Sequence, residues 1–280
     1  RMFLPAFIAS SRRSFASPAR IIRLALLAIS IALSCLLSHR AAAAAAPTIA
    51  AASDLKLALE EIARGYRTAT GSDVKLVFGS SGNFYRQIGQ GAPFQVFMSA
   101  DEGFVYKLAD AGKTEDRGHL YAIGRIVLFV PQASGIALDP QLAGLKAAIG
   151  SGAIRRFAIA NPQHAPYGRA AEEALRKLGV WDALRLRLVI GENVSQAAQF
   201  ASGGSADGGI FAYSLVQTPQ IAGRGRYVLI PEAYHQPLRQ RMVLVKGASE
   251  SARAFYGYLQ TPAAREIFSR YGFASPGERR

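Results

Sequence analysis

The sequence predicts an α/β protein divided between two domains, each a mainly parallel sheet flanked by helices. Three observations lead there. Short apolar runs alternate with helix-period segments from residue 48 onward, and strand–helix alternation gives parallel strands joined by crossover helices. The runs are rich in β-branched and aromatic residues and end at Gly, Pro, Ser or Asn. The 234 residues from 47 to 280 exceed what one small α/β core needs.

The strands are expected at residues 48–52, 74–78, 96–98, 126–130, 157–160, 188–190, 209–211, 228–230 and 242–245. Helices lie between them. Leu55, Leu59 and Ile62 fall at i, i+4 and i+7, as do Ala171, Leu175 and Leu178. Gly179 follows the second set as a C-terminal stop. Thr261-Pro262 opens a closing helix as N-cap and first residue, and Gly272 ends it.

Residues 1–46 are set aside from the fold. Arg12, Arg13, Arg20 and Arg23 form a basic segment without an acidic residue, the run from Leu24 to Leu37 is apolar, and Ala41 to Ala46 are small. This is the order of a cleavable secretory signal, with the mature chain starting near Pro47 and exported to the periplasm. A spanning helix needs about 20 apolar residues, more than this run holds. Ser11-Arg12-Arg13-Ser14-Phe15 also fits a twin-arginine export pattern. Cys35, the single cysteine of the chain, lies in the apolar run. Its removal leaves no disulfide, thiolate nucleophile or cysteine metal site.

The leader carries six of the 33 basic residues and none of the 19 acidic ones, so the formal charge falls from +14 to +8. The remaining arginines are scattered, with no run of five or six like charges, and read as solvated faces. Export adds to the case against a nucleic-acid partner.

Four strand-to-helix turns share one character: Ala51 to Leu55, Phe78 to Asn83, Asn161 to Gly168, and Glu192 to Ser195. Each puts small or hydroxyl residues where a helix begins. The first N–H groups of a helix lack intrahelical partners, and with the positive end of the helix dipole they form an anion site. In open α/β sheets ligands sit outside the carboxyl ends of strands, where these turns lie. Taken singly, Ser53 and Ser81 are ordinary N-cap residues, Val194 a core contact and Tyr167 a packing aromatic. Catalytic patterns are weak by comparison. His119, His164 and His235 show no metal-ligand spacing. Gly79-Ser80-Ser81-Gly82 lacks the spacing of a nucleophile elbow.

The chain resembles the periplasmic molybdate-binding protein family from Ile49 to Phe273. The resemblance is carried by AASDLKLALEEIA (51–63), FGSSGNFYRQIGQGAPFQVFMSAD (78–101), ANPQHAPYGRAAEEALRKLGVWDAL (160–184), GENVSQAAQFASGGSADGGIFAYS (191–214) and AFYGYLQTPAAREIFSRYGF (254–273). It implies a type II-like, two-lobed periplasmic-binding-protein fold with the ligand in the hinge cleft. Lobe 1 is expected at 47–126 plus 238–280 and lobe 2 at 127–237. It also implies a receptor, not an enzyme, that captures molybdate or tungstate for the permease of an ABC importer, as a monomer and without a cofactor.

Residue by residue, Ser53 and Ser81 match the family's two hydroxyl positions, Val194 a position giving a backbone N–H, and Tyr167 a cleft position. The fifth position is Ala212, where many members carry a tyrosine whose hydroxyl meets the anion. Tyr167 is expected to supply that hydroxyl instead, with Tyr213 pointing elsewhere. Asp54 is expected to turn its carboxylate away from the anion as a cap. Gln95 stands where many members are acidic. The alternatives are a receptor for sulfate or a small organic anion, a secreted hydrolase using Ser81 and His164, and a sensory domain of the same fold.

Overall fold

The computed structural model describes residues 45–277. The expected twin-arginine pattern, the apolar run and Cys35 lie outside the described residues. No described helix is long and apolar enough to cross a membrane.

The first half of the chain lays down β1 (Thr48–Ala52), a 3₁₀ turn (Ser53–Leu55) running into α1 (Lys56–Thr70), β2 (Lys75–Gly79), α2 (Ser81–Gly89), β3 (Val96–Ser99), α3 (Glu102–Asp110) and β4 (His119–Gly124). After Arg125 come β5 (Ile126–Pro131), α4 (Ala143–Gly150), β6 (Phe157–Ala160), α5 (Pro166–Lys177), a short α6 (Trp181–Leu184), β7 (Leu188–Gly191), α7 (Val194–Ser202), β8 (Gly209–Ala212) and β9 (Gly225–Leu229). The chain then returns as β10 (Leu238–Leu244) and closes with α8 (Glu250–Tyr258) and α9 (Pro262–Arg270).

These strands form two five-stranded sheets, ordered β2-β1-β3-β10-β4 and β7-β6-β8-β5-β9. The chain passes from the first to the second between Gly124 and Ile126 and comes back between Leu229 and Leu238. Ile126 therefore starts a strand of the second lobe, one residue before the expected boundary.

Both sheets are mixed rather than mainly parallel. β1 runs parallel to β2 and β3, and β6 to β7 and β8, while β10 and β5 are antiparallel to their neighbours. The reversed strands are those next to the crossings. β4 leads into β5 through Arg125 alone, so no crossover helix returns the chain to the same end of a sheet.

Burial explains the elements. Ala58, Leu59, Ile62 and Tyr66 form the buried face of α1, and Gly71, with φ of 72°, stops the helix in a left-handed cap. Thr261 caps α9 by accepting from the Ala264 N–H, with Pro262 as first helical residue.

β4 escaped the sequence reading, and β10 starts four residues earlier than expected. In β10, Leu238, Gln240 and Met242 are buried while Arg239 is exposed and Arg241 half-buried. Arg239 and Arg241 both pair with Glu102, which lets charged residues sit in a strand that otherwise reads as polar. β4 pairs with β10 and, through Ile123, with Ala274, both more than a hundred residues away, so no local signal announces it.

Two glycines give opposite expectations. A Cβ on Gly168, in the first turn of α5, would lie 2.2 Å from the Ala160 carbonyl oxygen, so Gly168→Ala is expected to cost about 1–3 kcal/mol through overpacking. Gly257 in α8 has open space around it, and Gly257→Ala is expected to stabilise by about 0.5–1 kcal/mol. Urea unfolding of the two variants checks both signs.

Candidate functional site

The carboxyl ends of β1, β2, β6 and β7 all lead to one place. Ser53 follows β1, Ser80 and Ser81 follow β2, Pro166 and Tyr167 open α5 after β6, and Val194 opens α7 after β7. Ser53, Asp54, Ser80, Ser81, Tyr167 and Val194 line a single small cavity. The rest of its wall is Ala52, Gly79, Ala100, Ala165 and Pro166. No lysine or arginine is among them.

The helix starts carry the donors. Ser80, not Ser81, is the N-cap of α2, its hydroxyl accepting from the Asn83 N–H. Ser81 is the first helical residue and fully buried. Its Oγ accepts from the Ala100 N–H at 2.9 Å, which leaves the hydroxyl proton to donate. Ser53 opens the 3₁₀ turn and makes no cap. Its hydroxyl donates to Asn193 Oδ1 at 3.2 Å and accepts from the Ser195 N–H at 3.3 Å. Asn193 in turn caps α7 by accepting from the Gln196 N–H. Val194 is the first residue of α7, so its N–H has no intrahelical partner.

The two lobes are joined around the cavity. The Gly82 N–H donates to the His164 carbonyl, the Ser195 hydroxyl to the Ser53 carbonyl, and the Ser214 hydroxyl to the Asp54 carbonyl. His164 Nδ1 lies 2.9 Å from Ser80 Oγ, and its Nε2 is 3.5 Å from Glu192 Oε2. Arg169 pairs with Asp101 beside them. The imagined Ser81–His164 pair is therefore corrected: the histidine meets the capping serine one residue earlier, and Ser81 is turned to Ala100.

Tyr167 also departs from expectation. Its hydroxyl donates to Asp54 Oδ2 at 2.8 Å and accepts from Gln240 Nε2 at 2.9 Å. Its single proton is thus committed within the protein. Gln240 Nε2 also donates to Asp54 Oδ2 at 2.6 Å, and Gln240 Oε1 accepts from the Tyr121 hydroxyl at 2.8 Å. Asp54 is not a cap turned outward. It is buried, takes both donors on Oδ2, and leaves Oδ1 without a hydrogen-bond partner among the described residues. Burial pushes its carboxyl up to about 6, against the smaller opposite pull of Gln240, Tyr167 and its own backbone N–H.

Ala212, at the end of β8, is fully buried and does not line the cavity. Tyr213 stacks near Tyr227, with ring centroids 5.8 Å apart, and does not line it either. Gln95 is remote: its Oε1 accepts from the Ser249 N–H and hydroxyl at the start of α8. No group of three or more His, Cys, Asp or Glu is arranged to hold a metal ion among the described residues.

Four residues with a part in this geometry were not singled out from the sequence. Asn193 had the signal of a capping residue before an apolar helix. Ser80 was masked by its neighbour. Gln240 and Tyr121 come from the two strands least legible in the sequence, and only the sheet brings them to Asp54.

The family model for bacterial extracellular solute-binding proteins matches residues 47–274. The chain belongs to this family. A molybdate-binding protein of Rhodobacter capsulatus is 38% identical over 83% of this chain and 90% of its own length. One from Azotobacter vinelandii is 36% identical over 83% of this chain and 91% of its own length. A solved structure of the periplasmic molybdate-binding protein of Azotobacter vinelandii superposes with a TM-score of 0.75 at 32% identity, covering 82% of this chain and 99% of that one. The resemblance to periplasmic molybdate-binding proteins is thus upheld over nearly the whole described span. This solute-binding protein has the two-lobed α/β fold of that group, and its role is extracytoplasmic binding.

A raised folded-state value makes Asp54 a destabilising group once ionised. Its unfolded value is near 3.8 and its folded value about 6, so the folded state binds more protons between them. Stability then falls as pH rises through that window and stays reduced above it. Asp54→Asn is expected to unfold at higher denaturant than the parent at neutral pH, by about 2–3 kcal/mol, and to match it near pH 4. Urea midpoints across this range test the sign.

Proposed function

We propose that this protein is the extracytoplasmic receptor for a tetrahedral oxyanion, molybdate or tungstate, which it delivers to the permease of an ABC importer. One observation carries the reading. A small cavity is closed from both lobes by the helix starts at Ser53, Ser81, Tyr167 and Val194, with no lysine or arginine on its wall. An anion there is stabilised by N–H and O–H dipoles in place of water, and each charge-assisted bond contributes roughly 1.5–3 kcal/mol net.

Neutral donors hold an anion without trapping it, as a carrier requires. A cavity of fixed size also selects: a smaller anion such as sulfate leaves donors unpaired, which costs affinity. The cross-lobe bonds among Ser53, Asn193, Gly82 and His164 support a hinge that closes over the ligand, and the closed pair of lobes presents the surface a permease reads. The protein binds and releases as a monomer, without a cofactor and without chemistry on the ligand. It is made for export to the periplasm.

Calorimetry with molybdate, tungstate, sulfate and phosphate tests the assignment. Molybdate and tungstate are expected to bind well ahead of sulfate, and at a hundredfold excess over Kd to stabilise by about 2.7 kcal/mol. Absence of any thermal shift with all four refutes it. Ser81→Ala, which removes the buried hydroxyl with a free proton, is expected to weaken molybdate by about tenfold or more. Ester turnover abolished by Ser80→Ala would instead place the protein among hydrolases.

A further inference from the structure

Asp54 is out of place in an anion site. It lines the cavity next to Ser53, and an ionised carboxylate there repels any oxyanion that enters. The groups facing it offer no offsetting cation. α5 contributes Tyr167, β10 Gln240 and β4 Tyr121, while the turn after β8 contributes Ser214 through its hydroxyl. α7 brings Asn193 and Ser195, which bond to Ser53. His164, the nearest histidine in the cross-lobe network, is engaged with Ser80 and Glu192.

The hydrogen bonds that other residues make to the carboxyl are one-sided. Oδ2 takes the Tyr167 hydroxyl and the Gln240 amide, while Oδ1 is buried and has no partner among the described residues. A carboxylate spreads its charge over both oxygens, so this arrangement leaves half of it unsolvated. A carboxylic acid fits it better: Oδ2 is the carbonyl that accepts two bonds, and Oδ1 carries the proton. Such an O–H needs an acceptor, and an oxyanion oxygen is one.

We propose that Asp54 is protonated when the oxyanion is bound, with the proton on Oδ1 donated to the anion, so that capture takes up one proton from solvent and release returns it. The proposal rests on the oxyanion-receptor reading. Tyr167 spends its own proton on Asp54, so a protonated Asp54 supplies the hydroxyl donor that Tyr167 does not. The rise of the free carboxyl toward 6 through burial makes the proton available near neutral pH, and the negative charge of the ligand favours it further.

The sign of the pH effect follows by linkage. Above the carboxyl's value in the free protein, binding must recruit a proton, so affinity falls as pH rises, by up to about tenfold per unit. Below that value the proton is already in place and the dependence disappears.

Molybdate titrations of the full mature protein between about pH 6.5 and about pH 8.5, in two buffers of different ionisation enthalpy, decide the matter. The expected result is a Kd that weakens by about tenfold per unit, with close to one proton taken up at the upper end. Asp54→Asn keeps a donor at that position without a charge, and its Kd is expected to be flat across the range. A parent Kd that moves by less than about threefold without proton uptake overturns the proposal, as does a variant that keeps the parent's slope. Should the variant fail to fold, proton uptake by the parent alone decides. Failure of molybdate and tungstate to bind at any pH overturns the receptor reading itself, and this proposal with it. Binding without pH dependence overturns this proposal only.

Discussion

A small anion can leave water for a protein cavity without a fixed cation only if enough oriented dipoles replace its hydration shell. On the proposed function, that requirement organises this molecule. The dipoles come from helix starts and hydroxyls, and a helix start can be aimed at a point only by the strand that precedes it. Four strands therefore end at one cavity, two from each sheet, with Ser53, Ser81, Tyr167 and Val194 at their exits. The small residues beside them, Ala52, Gly79, Ala100 and Ala165, let backbone approach where larger side chains would fill the space.

The same geometry ties the lobes together. Groups bordering the cavity also bond across it: Ser53 with Asn193 and Ser195, Ser80 with His164, Asp54 with Tyr167. On the proposed function, binding and closure are one process, since drawing the donors onto a ligand also brings these cross-lobe partners together. The two passages between lobes lie at Arg125 and between Leu229 and Leu238, where the proposed hinge bends. The reversed strands β5 and β10 lie next to them in the fold.

Asp54 shows how a local departure is absorbed. A buried carboxyl without a cation is costly as an ion. Here its Oδ2 is held by Gln240 from the returning strand and Tyr167 from the other lobe, so the residue connects three parts of the chain. The tyrosine that the sequence offered as a direct donor is thereby a support for its neighbour.

Much of this was legible in the sequence because it is local. Strand–helix alternation, the capping Thr261-Pro262 pair, the stops at Gly179 and Gly272, and the hydroxyl-rich strand exits depend on residues a few positions apart, and backbone propensity records them directly. The family resemblance added the four residues that meet at the cavity. What depended on distant partners was not legible. β4 pairs with partners far along the chain, β10 hides its alternation behind arginines held by Glu102, and the sheets are mixed because of how the chain crosses between them. Ala212 stays outside the cavity, and the direction of the Tyr167 hydroxyl was settled by Asp54 and Gln240, 113 and 73 residues away in sequence. The sequence determined which groups stand at the strand exits; the tertiary structure decided which of their protons are free, because a hydroxyl donates only once and its partner is chosen by packing.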